Sequence, residues 1–163
     1  MSNHEDSKKI SEWYELPFYW LPITPETKKD QESNFQAIIE DLDVDLLVLA
    51  RYMQILSEEF CKRLQGRAIN IHHSFLPSFA GSKPYHQAYE RGVKVIGATA
   101  HYVTPELDAG PIIVQEVRPI THETTAEQMV HLGHDIETTA LCQAVRLHCE
   151  DRVQINGKRT VIL

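Results

Sequence analysis

The spacing of apolar residues changes along the chain in a repeating way, from helical spacing to a short continuous run and back again. Residues 5 to 14 (EDSKKISEWY) are compatible with a helix, and PFYWLPI at 17 to 23 reads as a short strand ended by Pro22 and Thr24. Thr24, Pro25 and Glu26 then predict a helix start: a hydroxyl N-cap, a proline where its missing N–H costs nothing, and an acidic first turn. Phe35, Ile38, Ile39 and Leu42 continue that helix to about Asp43. The run DLLVLA at 45 to 50 is continuously apolar, as expected of a strand buried on both faces of a parallel sheet. Ser57-Glu58-Glu59 opens a short helix that Gly66 can close, and AINIHH at 68 to 73 is the next strand.

The alternation continues with a helix over PYHQAYERG (84 to 92) and a strand over KVIGATAHYV (94 to 103). A loop, TPELDAGP, leads to a further strand, IIVQEV. Thr124-Thr125-Ala126-Glu127 matches a capping box, and Met129, Leu132, Ile136, Ala140, Val145 and Leu147 form the apolar stripe of the helix that follows. Asn156-Gly157 between β-favouring flanks predicts a terminal hairpin. Strands alternating with helices predict one α/β domain over residues 1–163.

Composition narrows the partners. The chain has 163 residues, 42% of them hydrophobic and 24% charged, which is enough for one ordinary core. A formal charge of -7 argues against a surface built to neutralise phosphates, so a small molecule is the expected partner, with no nucleic acid and no membrane. Cys61, Cys142 and Cys149 form no CxxC pair and are odd in number, which favours a reducing compartment and a cytoplasmic location. No apolar run approaches the roughly 20 residues of a membrane span, and MSNHEDSKK has no apolar signal-peptide core.

The candidate chemistry lies at the predicted strand ends. INIHHSFLPSFAG (69 to 81) passes from an apolar run to two adjacent histidines and then to a segment punctuated by Pro77 and Gly81. Strand alternation places Asn70 and His72 on one face and His73 on the other. An amide beside an imidazole makes an oxyanion-binding pair; the alternative is a turn-forming Asn70 and a structural His72. His101 ends another strand, and Asp108 sits in a loop whose proline and glycine let backbone approach a ligand, or simply form an Asx-type turn before Gly110. A carboxylate near His72 favours the imidazolium and can orient or deprotonate water. A metal cluster of His72, His73, His86 and His101 finds no supporting HExxH, HxH or CxxC spacing, and a serine triad on Ser74 lacks the G-x-S-x-G elbow. His131 and His134 fall on a predicted helix, as polar or interface surface.

In order along the chain, LVLARYMQILS, INIHHSFLPSFAG and GATAHYVTPELDAGPII resemble the folate-dependent formyltransferase-like family over nearly the whole length. Within it, INIHHSFLP and PYHQAYERGVKVIGATAHYV are similar to the formyltetrahydrofolate deformylases, whereas the glycinamide ribonucleotide and methionyl-tRNA transferases typically carry proline after the first histidine. The resemblance implies a Rossmann-like formyltransferase fold with a mostly parallel sheet. It also implies hydrolysis of 10-formyltetrahydrofolate to formate and tetrahydrofolate, serving one-carbon metabolism and purine synthesis.

The family's catalytic asparagine, histidine and aspartate fall on Asn70, His72 and Asp108, with His101 and His73 supporting. Met53, Gln54, Ile55 and Leu56 match one wall of the pteridine pocket; Thr104, Pro105, Glu106, Leu107, Ala109 and Gly110 match the other. His73 would shape the pocket to admit water, or hydrogen-bond a neighbouring strand. No metal or other cofactor is expected, the folate being the substrate, and a homo-oligomer is expected. The resemblance further implies an ACT-type domain and the first strand and helix of the catalytic domain ahead of Met1, Ser2-Asn3-His4 matching the end of the second strand. Transfer of the formyl group to an amine, and a non-catalytic folate-binding or subunit-associating chain, are the alternative functions.

Overall fold

The computed structural model describes residues 1–22, 24, 28–73 and 84–163, and of Lys28, Lys29 and Pro84 it describes the backbone alone. These fall into two compact units, Met1–Val44 and Asp45–Leu163.

The first unit holds helices α1 (Lys8–Trp13) and α2 (Lys28–Asp41). The strand expected at PFYWLPI is instead a single parallel bridge between Ser2 and Trp20, with Ser2 N–H donating to Tyr19 O at 2.9 Å and Leu21 N–H to Ser2 O at 2.8 Å. Pro17 and Pro22 lack the N–H groups a longer ladder would need on either side. The strand's end at Ile23, and the helix start at Pro25 and Glu26, lie outside the described residues. In α2, Phe35 and Ile39 are buried one turn apart, while Leu42 falls beyond the helix end and is exposed.

The second unit is α/β, with β1 (Leu47–Leu49), α3 (Glu58–Arg63), β2 (Ala68–His72), α4 (Pro84–Arg91), β3 (Val95–Tyr102), β4 (Ile112–Pro119), α5 (Ala126–Cys149), β5 (Val153–Asn156) and β6 (Arg159–Ile162). The four-stranded sheet runs β1-β2-β3-β4. Contrary to the mostly parallel expectation, this sheet is mixed: β1 and β2 are parallel, but β2–β3 and β3–β4 are antiparallel. The loop from 103 to 111 is shorter than the roughly dozen residues a parallel crossover needs. β3 is apolar because it is buried along almost its whole length, not because its neighbours are parallel. β1 departs the other way: it is the short edge strand, with Leu47 and Leu49 buried and Val48 exposed, so one face is covered rather than two.

Helix α5 packs on the sheet through Met129, Gly133, Ile136, Ala140, Ala144 and Leu147, a stripe at helical spacing that meets Ala98 and Ala100 of β3 in the core. Val145 packs against its margin, but Leu132, expected in the stripe, is exposed. The capping box is one residue later than the spacing suggested: Thr125 caps and Gln128 returns the bond. Thr124 is engaged elsewhere, its Oγ1 accepting from Thr121 N–H at 3.2 Å. β5 and β6 form the expected hairpin, closed by Gly157-Lys158 with φ of 61° at Gly157. Among the described residues no helix is long and apolar enough to cross a membrane.

Candidate active site

Antiparallel pairing does what the local pattern could not, because the register sets Asn70 of β2 directly opposite His101 of β3. Directly opposed residues project to the same face, and Asn70 Nδ2 lies 3.4 Å from His101 Nε2. The pairing of β3 with β4 shifts register between Ala100 and His101, so the ladder is irregular where the site begins.

The loop after β3 brings in the carboxylate. Asp108 has a φ of 52°, in the left-handed region that aspartate tolerates better than most residues. Its Oδ2 lies 3.3 Å from His72 Nε2 and its Oδ1 3.7 Å from His101 Nε2. Gly110 makes this possible: a Cβ there would sit 1.7 Å from the Tyr102 carbonyl oxygen, so only glycine lets the loop return this close to β3. The glycine therefore serves the loop's approach to the strand; it is outside the cavity lining, as is Ala109.

His101 is almost fully buried, and its Nδ1 lies 2.9 Å from the Tyr102 carbonyl oxygen. A carbonyl only accepts, so Nδ1 carries a proton, leaving Nε2 to accept from the Asn70 amide. His72 keeps the expected face with Asn70, its side chain only 12% exposed. His73 departs from expectation. β2 ends at His72, so strand alternation no longer dictates the next side chain, and the two rings stack with centroids 4.7 Å apart and planes 20° from parallel. Burial pushes the His73 imidazole below its usual range, reinforced by the charge of His72 and opposed by the carboxylates of Glu137 and Asp108.

The described residues enclose a cavity of about 660 Å³ around this cluster. It is lined by Asn70, His72, His73, His101 and Asp108, by Met53, Gln54, Ile55 and Leu56 on one side, and by Thr104, Pro105, Glu106 and Leu107 on another. The sequence reading missed a third wall, where Tyr85 and His86 of α4 face Val130, His134 and Glu137 of α5. The Tyr85 hydroxyl donates to Glu137 Oε1 at 2.7 Å, and burial together with that carboxylate pushes its pKa well above the usual phenol range. Tyr85 thus remains a donor. The signal was present, since 130, 134 and 137 share one helix face, but periodicity does not say what that face looks onto. His134, read as surface, faces the cavity; His131 is exposed. Ser74, Pro77 and Gly81 lie outside the described residues.

Residues 6–145 match the formyl transferase family model. The chain belongs to the formyl transferase family. A formyltetrahydrofolate deformylase of Corynebacterium sp. (strain P-1) is 52% identical over 99% of this chain. The crystal structure of a formyltetrahydrofolate deformylase from Burkholderia mallei superposes with a TM-score of 0.93 at 51% identity, covering 99% of this chain. A phosphoribosylglycinamide formyltransferase from Anaplasma phagocytophilum is more distant within the same fold, with a TM-score of 0.88 at 34% identity, covering 99% of this chain and 78% of that one. This formyl transferase chain spans 57% of the length of the first relative and 58% of the second.

Proposed function

We propose that this chain carries the site at which 10-formyltetrahydrofolate is hydrolysed to formate and tetrahydrofolate. The observation that carries the reading is the convergence of an amide, an imidazole and a carboxylate in one cavity: Asn70 Nδ2 beside His101, and His72 Nε2 within 3.3 Å of Asp108. The similarity to deformylases points the same way.

The formyl group is carried on an arylamine nitrogen whose lone pair is shared with the ring, so the carbonyl is more electrophilic than an alkyl amide's and the leaving amine less basic. Water suffices as nucleophile, and the reading needs no further cofactor. Asp108 orients the water and takes one of its protons as the oxygen–carbon bond forms. Asn70 N–H and a ring N–H of His72 stabilise the developing oxyanion, while His101 fixes the Asn70 amide so that its N–H end stays in place. Collapse breaks the carbon–nitrogen bond, the amine nitrogen receives the proton that Asp108 took from the water, and formate leaves. Met53 to Leu56 and the 104–107 segment provide apolar and backbone surface for the pteridine.

The reaction is assigned to the cytoplasm and to a homo-oligomer, with folate and water as reactants, where it would balance one-carbon pools and supply formate for purine synthesis. The test is formate release from 10-formyltetrahydrofolate by the whole polypeptide that carries this sequence, with and without amine acceptors. Release independent of any acceptor is expected. Turnover that requires an amine would instead assign the site to formyl transfer, and folate binding without turnover would reduce it to a binding module.

A further inference from the structure

The two adjacent histidines of the cavity hold different positions in the chain's geometry. His72 is the last residue of β2 and faces Asp108, whereas His73 lies beyond the strand, released from its alternation. Their rings nevertheless lie face to face, 4.7 Å between centroids and 20° from parallel. Offset stacking of flat rings at this separation restricts rotation about the second side-chain torsion of each. His72 is the ring whose orientation matters most, since turning it would carry Nε2 away from Asp108 Oδ2.

We propose that His73 is a positioning residue for His72, its ring holding the catalytic imidazole in the plane that faces Asp108. The proposal rests on the hydrolytic reading above and adds a role for the second histidine of the pair.

A stack of this kind requires that both rings not be charged together, because two cations this close repel. The surroundings meet that requirement. Burial and the charge of His72 from β2 favour neutral His73; Asp108 from the 103–111 loop and Glu137 from α5 act in the opposite sense. Glu137 is held by the Tyr85 hydroxyl of α4, which takes up part of its charge in a hydrogen bond. His86 of α4 and His134 of α5 complete the titratable groups of the lining on those elements. At lower pH, where His73 takes up a proton against its lowered pKa, its charge weakens the hold of the stack on His72.

The experiment compares kcat, KM and the pH profile of formate release for the unsubstituted full polypeptide, His73→Ala and His73→Phe. Loss of the stack in His73→Ala lowers kcat about 2- to 10-fold with KM changed less than about twofold. His73→Phe supplies a flat ring that does not titrate. It recovers rate relative to His73→Ala, and its rate relative to the unsubstituted protein rises as pH falls. Ring NMR of His72 gives a second readout independent of turnover: averaged signals in His73→Ala, a single orientation in His73→Phe. If His73→Phe is as impaired as His73→Ala, or if the change falls on KM, the ring acts through its nitrogens or on substrate binding, and the proposal is overturned. If the unsubstituted protein needs an amine acceptor, the hydrolytic reading fails instead, and the same comparison made in the transfer assay still decides the stack.

Discussion

The floor of the cavity is polar and inward-facing, drawn from strand ends and from Asp108 of the 103–111 loop, whereas its rim carries exposed apolar side chains from connecting segments. On the floor, His101 and His72 keep 3% and 12% of their side-chain surface, and each polar group meets another. On the rim, Met53, Ile55 and Leu107 are 73%, 76% and 68% exposed. Such exposure contributes nothing to folding, since those side chains leave most of their apolar surface in water. Apolar surface collected around a concave polar centre is the form a ligand site takes. The difference assigns separate work to the two regions: the floor acts on the reacting group, and the rim holds the part of the substrate that does not change.

Substitutions can break this division. The largest effect is expected on the floor, where Asp108→Asn removes the group that orients and deprotonates water. A kcat loss of about 10²–10⁴ with KM little changed is expected, and Asn70→Ala should cost about 10²–10³ in kcat. A loss that falls on KM instead would make the floor a binding surface. Next comes the rim, where Met53→Ala or Ile55→Ala removes about 1 kcal/mol of substrate burial, raising KM roughly fivefold each with kcat preserved. A kcat loss there would erase the distinction.

The smallest effect lies behind the third wall. A Cβ at Gly133 would fall 2.0 Å from Cζ of the buried Tyr85, so Gly133→Ala overpacks the α4–α5 contact while gaining helix propensity. The net loss is about 1 kcal/mol, measured by urea unfolding of the full polypeptide. A gain in stability would show that the tyrosine moves aside freely.

Much of the element order was legible because each element's signal is local. The α5 stripe, the Ser57 cap, which accepts from Phe60 N–H at 3.2 Å, and the terminal hairpin follow from spacings of a few residues. The failures are equally physical. At 17–22 the described residues make a single bridge to Ser2 because Pro17 and Pro22 lack N–H groups on either side, and Thr124 and Thr125 offered the same hydroxyl one residue apart, so only the competing bond from Thr121 N–H told them apart. In β3, an apolar run reported burial and could not report strand direction, because both kinds of neighbour exclude water alike.

The same boundary runs through the site. Asn70, His72 and Asp108 stood out in the chain itself, since polar groups at the ends of apolar runs, together with the family resemblance, marked them. Tertiary structure alone decided that Asn70 lies across from His101, that His73 stacks on His72 instead of facing away, and that Tyr85 reaches Glu137, 52 residues further along. Residue type and spacing act over one or two turns, whereas the distances that make a site are set by how segments far apart in the chain pack, and packing is a property of the whole core.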